Sequence, residues 1–199
     1  MVAEQLRPNG IVDARVLEAM QAVPREEFVP EEIRRHAYLD RALPIGFAQT
    51  ISQPLVVAAM TQALAPEPEE TVLEIGTGSG YQAAVLARLC RRVITVEREP
   101  ALAERAAHVL TQLGYANVEV AVADGNRGWP PAAPYPAILV AAAARTPPPA
   151  LLDQLGDGGR MVIPIGADDA EYQELRLLRR HGAEVSSQLL FPVRFVPLL

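Results

Sequence analysis

The sequence predicts an α/β fold: a mostly parallel central sheet with helices on both faces, antiparallel strands at its C-terminal end and an N-terminal helical cap. Three observations predict it. From Thr71 onward, short apolar runs alternate with helix-like segments, the rhythm of repeated strand–helix units. The first run, Val72-Leu73-Glu74-Ile75, ends in the turn Gly76-Thr77-Gly78-Ser79-Gly80, and a helix-prone segment follows at once. The last two runs, around Gln173–Arg179 and Glu184–Pro192, are joined so tightly at His181-Gly182 that no crossover helix fits, which requires an antiparallel pair.

The elements follow in order. Asp13 caps a helix running to about Val23, with Val16, Leu17 and Met20 on one face and Pro24 as its stop. Glu31 to Tyr38 reads as a second short helix. Residues 40 to 52 read as a loop too apolar to be a linker. Ser52 stands as an N-cap before Gln53-Pro54, and the helix it opens runs to about Leu64, ended by Pro66 and Pro68. Strand Thr71–Ile75 leads to helix Tyr81–Leu89. Strand Arg92–Glu97 leads to a helix opened by Pro100 and closed by Gly114. Strand Asn117–Val122 enters the loop Ala123-Asp124-Gly125. Strand Ala137–Ala141 leads to a helix near Pro149–Leu155, and Gly158-Gly159 precede strand Arg160–Ile165. The whole reads as one domain over 1–199, with residues 1–65 as a cap and substrate loop and 66–199 as a Rossmann-like, cofactor-binding core.

Composition narrows the function. The chain has 199 residues, half of them hydrophobic, enough for a sizeable core. Its longest apolar run, Ala137 to Ala144, is far short of the ~20 residues of a membrane span. The N-terminus lacks a basic region followed by an apolar one, so a signal peptide is not indicated and a cytoplasmic location is expected. Net charge is -6, and all 18 basic residues are Arg, singly or in pairs with no basic stripe, which speaks against nucleic-acid binding. Cys90 is the only cysteine, so no internal disulfide forms; His36, His108 and His181 are too scattered for a metal site.

The chemistry concentrates at the glycine turn. Bare backbone there lets a nucleotide-like ligand approach, and Glu97, 21 residues after Gly76, stands where ribose hydroxyls are gripped. Position 81 is Tyr rather than the third glycine of a dinucleotide fingerprint. Glu74 would face a pyrophosphate with an unwelcome anion, whereas a cofactor carrying a sulfonium and an amino group tolerates a carboxylate. S-adenosylmethionine fits that description. Asp124, at the carboxyl end of the next strand, can accept from an adenine amino group, or simply form an Asp-Gly turn. A nicotinamide oxidoreductase and a non-catalytic cofactor-binding protein remain open on the residues alone; preference for the dinucleotide over S-adenosylhomocysteine would mark the first.

Several longer stretches carry a resemblance. They are Val23-Pro24-Arg25-Glu26-Glu27-Phe28-Val29-Pro30, Leu43-Pro44-Ile45-Gly46, Gln49-Thr50-Ile51-Ser52-Gln53-Pro54, the run from Val72 to Ala87, Leu113 to Val118, Gly128-Trp129-Pro130, and Val193-Arg194-Phe195-Val196-Pro197-Leu198. The chain resembles the protein-L-isoaspartate O-methyltransferase family nearly end to end. The resemblance implies a class I methyltransferase fold and methyl transfer from S-adenosylmethionine to the free α-carboxylate of an L-isoaspartyl residue. S-adenosylhomocysteine is then the product, and the methyl ester closes to a succinimide whose hydrolysis returns some normal linkage. It also implies that Ser52 is the catalytic-centre serine. Thr50, Ile51, Ser52, Glu74, Gly76, Thr77, Gly78, Ser79, Glu97, Arg98, Asp124 and Gly125 would hold the cofactor, and Ser52 with Val193, Arg194 and Val196 the peptide. Partners are then isoaspartyl peptides and proteins, without nucleic acid or membrane, and the chain is expected to be a monomer. A same-fold methyltransferase acting on another carboxylate or a small molecule is the nearest alternative.

Some positions depart from the family pattern. Ala123 stands where the family has Gly before Asp124, Pro136 where it has Asp, Arg145 where it has Pro, and Gly46-Phe47-Ala48-Gln49 where it has Gly-x-Gly-Gln. Ala123 is expected to lose backbone freedom, and Pro136 to be tolerable only at a strand end or edge.

Overall fold

The computed structural model describes residues 1–167 and 170–199. Seven strands form one sheet: β3 (Thr71–Ile75), β4 (Arg92–Glu97), β5 (Val118–Val122), β6 (Tyr135–Val140), β7 (Leu155–Ile165), β8 (Gln173–His181) and β9 (Glu184–Val193), in the order β5-β4-β3-β6-β7-β8-β9. The first five in that order are parallel, β8 runs antiparallel to β7, and β9 runs antiparallel to β8. Buried Val, Ile and Leu dominate β3, β4 and β6, as strands covered on both faces require. The order reverses on either side of β3, so a crevice opens at the carboxyl ends of β3, β4 and β6.

One face is covered by α2 (Pro54–Leu64), α3 (Tyr81–Ala87) and α4 (Pro100–Gln112), with α1 (Ala14–Ala22) and its neighbours packed over them. The other carries only the short α5 (Pro149–Gln154), single turns around residues 125–132, and the C-terminal segment. Asp13 caps α1 as its spacing predicts, accepting from the Arg15 and Val16 amides.

Three local expectations are corrected. Residues 40–52 are not a plain loop: β1 (Leu43–Gly46) and β2 (Gln49–Ile51) form an antiparallel hairpin. Its two-residue turn, Phe47-Ala48, places both residues at positive φ, 53° and 56°, the geometry that matches strand twist in such turns. Without Asn-Gly there, the turn left no signal. The short helix expected over residues 31–38 is a 3₁₀ helix and ends at His36. The cap of α2 is Gln53, and the Ser52 side chain is not used. Asp40 does the work from a distance: its Oδ1 accepts from the Leu55 amide at 3.1 Å and its Oδ2 from Gln53 Nε2 at 2.9 Å. A tertiary cap replaces a local one, which leaves the serine hydroxyl outside the helix's own bonding.

Pro136 sits at the entrance of central β6, where the β6–β7 register shifts between Tyr135 and Ala137; pairing with β3 begins only at Ala137, so no regular ladder bond is missing. Ala123 is not among the residues at positive φ, and its side chain packs against the core, so alanine costs nothing there.

Candidate active site

The glycine turn is fastened to the sheet by backbone bonds, Gly76 N–H to Val96 O at 2.8 Å and Ala141 N–H to Ile75 O at 2.8 Å. Gly76, Gly78 and Gly80 all have positive φ. At Gly80 the demand is double: φ is 89°, and a Cβ would meet Leu110 Cδ1 at 3.2 Å and Ala106 Cβ at 3.3 Å, so α4 could not lie as close. Gly125 answers a different demand. A Cβ there would stand 2.6 Å from Ile75 Cγ2, blocking the approach of the β5 loop to the end of β3.

Glu97 stitches this region together. Its Oε2 accepts from the Gly78 amide at 2.9 Å, and its Oε1 from the Arg98 and Glu99 amides at 3.0 and 3.1 Å. Beneath the turn runs a buried chain of hydroxyls: Thr77 Oγ1 lies 2.7 Å from Thr95 Oγ1, which donates to Glu74 Oε2. Glu74 is fully buried and its Oε1 has no partner. Burial pushes its pKa up to about 8, against the hydrogen bond from Thr95, with the charge of Glu97 adding to the rise.

These groups border a cleft of about 290 Å³ at the carboxyl edge of the sheet, close to the size of small-ligand sites. Of the residues singled out from sequence, Thr50, Ile51, Ser52, Gly76, Thr77, Gly78, Ser79, Glu97, Arg98, Gly125 and Val196 line it. Glu74, Asp124, Val193 and Arg194 do not. Glu74 is fully buried away from the cleft, so the acidic side chains that line it are Glu97 and Glu99. Asp124 is exposed and accepts from the Asn126 amide at 2.9 Å, with Arg127 at 3.8 Å, the Asp-Gly turn arrangement. Val193 is buried at the end of β9 and Arg194 points to solvent.

Sequence reasoning missed other lining groups: Phe47 at the hairpin tip, Tyr81 and Gln82 at the start of α3, Ala141 and Ala142 after β6, and the last two residues, Leu198 and Leu199. The alanines follow the carboxyl end of a parallel strand, a position that itself signals ligand binding. The tail is seated by Ala143, whose N–H donates to Val196 O at 2.8 Å and whose carbonyl accepts from Leu198 N–H at 2.7 Å. No histidine or cysteine lines the cleft, and among the described residues no three His, Cys, Asp or Glu side chains converge on a metal position.

A family model described as protein-L-isoaspartate(D-aspartate) O-methyltransferase matches residues 1–199. The chain belongs to the protein-L-isoaspartate O-methyltransferase family. Protein-L-isoaspartate O-methyltransferase 1 of Rhodopseudomonas palustris is 53% identical over 199 residues, covering 100% of this chain and 81% of that protein. The protein-L-isoaspartate O-methyltransferase of Herpetosiphon aurantiacus is also 53% identical, over 100% and 88%. A solved protein-L-isoaspartate O-methyltransferase superposes with a TM-score of 0.86 at 28% identity, over 96% of this chain and 62% of that longer one. A Plasmodium falciparum structure, described as a candidate member in complex with S-adenosyl-L-homocysteine, gives 0.84 at 25% identity over 100% and 96%. The fold is thus that of the class I methyltransferases, with the antiparallel strands at the C-terminal end of the sheet.

Proposed function

We propose that this chain methylates the free α-carboxylate of L-isoaspartyl residues in damaged proteins, with S-adenosylmethionine as donor. The observation that carries the reading is the meeting, in one cleft, of the glycine turn, Glu97 and the uncapped Ser52, in a chain that matches this family along its whole length.

The residues present fit the donor. The turn offers open backbone, and Glu97, already fixed by three amides, presents a carboxylate to ribose hydroxyls and to a cationic ligand. Gly125 and the backbone around Ala141 leave room for the remainder. When bound, S-adenosylmethionine supplies an electrophilic methyl on a sulfonium. The acceptor carboxylate, with a pKa of about 3.5, is already anionic at neutral pH. No side chain need remove a proton, consistent with a cleft lining that has no histidine. The chain's task is alignment and exclusion of water, and alignment of this kind contributes up to about 7–11 kcal/mol. Ser52 serves as a hydroxyl donor to the acceptor carboxylate. Its carbonyl is tied down by Arg25 at 2.7 Å, so the residue is fixed while its hydroxyl stays free of capping. The tail at Val196–Leu199 also lines the cleft, and the peptide would lie against it.

Labelled-methyl transfer to a peptide with one isoaspartyl linkage, against its aspartyl twin, tests the reading. Incorporation into the first alone is expected; incorporation into neither, with S-adenosylhomocysteine still bound, would move the activity to another acceptor. Ser52→Ala should lose about 100-fold or more in transfer rate with S-adenosylhomocysteine affinity little changed. An unaltered rate rejects the role of the hydroxyl. We read the working form as a monomer, which light scattering would check. No helix among the described residues is long and apolar enough to cross a membrane.

A further inference from the structure

Arg25 is a fully buried cation in the N-terminal cap. Its Nε donates to Ala37 O at 2.6 Å and its Nη2 to Ser52 O at 2.7 Å. The guanidinium lies over the Tyr81 ring, 4.7 Å from its centroid, and Phe28 holds that ring edge-on at 5.6 Å. Tyr81 and Ser52 both line the cleft. Arg25 therefore touches the backs of two walls of the site.

Two features set it apart from a residue that merely fills space. Its Nη1 is buried without a hydrogen-bond partner. Nor does it form an ion pair with any described carboxylate: Asp40, whose field reaches it, is engaged with Gln53 and the Leu55 amide. A guanidinium kept dry carries a desolvation cost; its bonds to the Ala37 and Ser52 carbonyls offset part of that cost, but with no carboxylate partner its charge is left unneutralised beside the cleft. Burial brings its pKa down to about 10, so the side chain is still charged at neutral pH.

We propose that Arg25 is a positioning residue for methyl transfer: it fixes the Ser52 peptide and stands as an unneutralised cation behind it, preparing the acceptor half of the cleft for an anionic carboxylate. The inference deepens the reading of Ser52 given above and rests on it. The charge favours an anion beside Ser52 without touching it, while the fork to two carbonyls sets where the hydroxyl sits.

Arg25→Met and Arg25→Lys test this, each assayed for kcat and KM with the isoaspartyl peptide, for the Kd of S-adenosylhomocysteine, and for Tm. For Arg25→Met, kcat/KM for the peptide should fall about 30-fold or more while the Kd moves less than about threefold. Arg25→Lys keeps the charge but cannot fork, and should recover about tenfold over the methionine variant without reaching wild type. A merely structural arginine would lower Tm and weaken both ligands together, or leave kcat/KM unchanged in a folded variant; either result overturns the proposal. If Arg25→Met fails to fold, Arg25→Lys carries the test alone: kcat/KM equal to wild type, with S-adenosylhomocysteine bound normally, overturns it. Failure of the underlying reading looks different, because the wild-type protein itself would then transfer no methyl group to the isoaspartyl peptide.

Discussion

Ala48 stands at φ 56° in the hairpin turn and Ala65 at φ 48° just after α2, both in the left-handed region that alanine disfavours. Both side chains are exposed, so glycine would lose no packing. Each change to glycine relieves strain in the folded state and loosens the unfolded chain, two effects of opposite sign. The relief is the larger, so Ala48→Gly should stabilise by about 0.5–1 kcal/mol, a rise in Tm of about 1–4 °C by calorimetry. Ala48 also holds the tip that presents Phe47 to the cleft, which makes a mobile tip and a higher peptide KM the expected companion of that gain. Glu74 makes the second residue-scale prediction. Its folded pKa, raised to about 8 by burial, lies above the ordinary value of 4.5, so the folded state binds the extra proton between them. Stability is then fullest below pH 4.5 and declines as pH rises to about 8, by at most about 1.4 kcal/mol per pH unit. Glu74→Gln removes that titration. Its Tm should exceed wild type at pH 8.5 and the margin should narrow steadily towards pH 5.5; a margin independent of pH would contradict a buried, protonated Glu74.

Arg160 works between elements. From β7 its Nε donates to Leu64 O at 2.5 Å and its Nη2 to Ala65 O at 2.5 Å, at the end of α2. The same guanidinium grips both oxygens of Glu70, just before β3, at 2.7 and 2.6 Å, and reaches Pro136 O in β6 at 3.2 Å. One side chain thus registers a helix end against three neighbouring strands. Burial opposes the charge on Glu70, but the Arg160 bonds overcome it and its pKa falls below 4.5. The stabilisation tied to that shift is present above pH 4.5 and is lost as pH falls through the lowered value. Arg160→Met should cost about 3–5 kcal/mol in urea unfolding at pH 7, because Glu70 is left nearly buried and unpaired; adding Glu70→Met should restore part of it. The cost should shrink below pH 4.5. Legibility at this scale followed the same division. Strand β3 could be bounded from its residues because its apolar run enters a glycine turn, and β4 because its apolar run ends in Glu97 shortly before the helix-opening Pro100. The hairpin could not, since Pro44 and a Phe-Ala turn look like loop until Ile51 is buried opposite Leu43. The start of α2 was misread because the local serine was the obvious cap, while the true acceptor, Asp40, lies 15 residues before the amide it receives.

Across the molecule, the part of the site that spacing alone revealed is the contiguous part, whereas Thr50–Ser52, Gly125 and Val196 were reached only through the family resemblance. Gly76 to Ser79 and Glu97 belong to neighbouring strand ends, and their spacing alone implied a ligand. Tyr81, Phe47 and the Ala141–Ala142 pair acquire meaning only when the N-terminal cap and the chain end fold onto the edge of the sheet. The cleft walls come from residues 47–57, 75–82, 96–99, 125, 141–142 and 196–199, so a ligand filling it joins segments that the backbone leaves far apart. Binding that requires all of these together stabilises the folded chain as a unit. At a ligand concentration of 100 Kd the gain is about 2.7 kcal/mol, which for a chain of this size corresponds to a rise in Tm of about 5–10 °C. S-adenosylhomocysteine should produce that rise and a nicotinamide dinucleotide none, in the same thermal scan. Removing the tail beyond Phe195 takes away one wall and the strut on Ala143 but little of the buried core, so it should shrink the ligand-induced rise far more than it lowers the Tm of the free protein. Equal losses in both would mean that the tail only stabilises the fold.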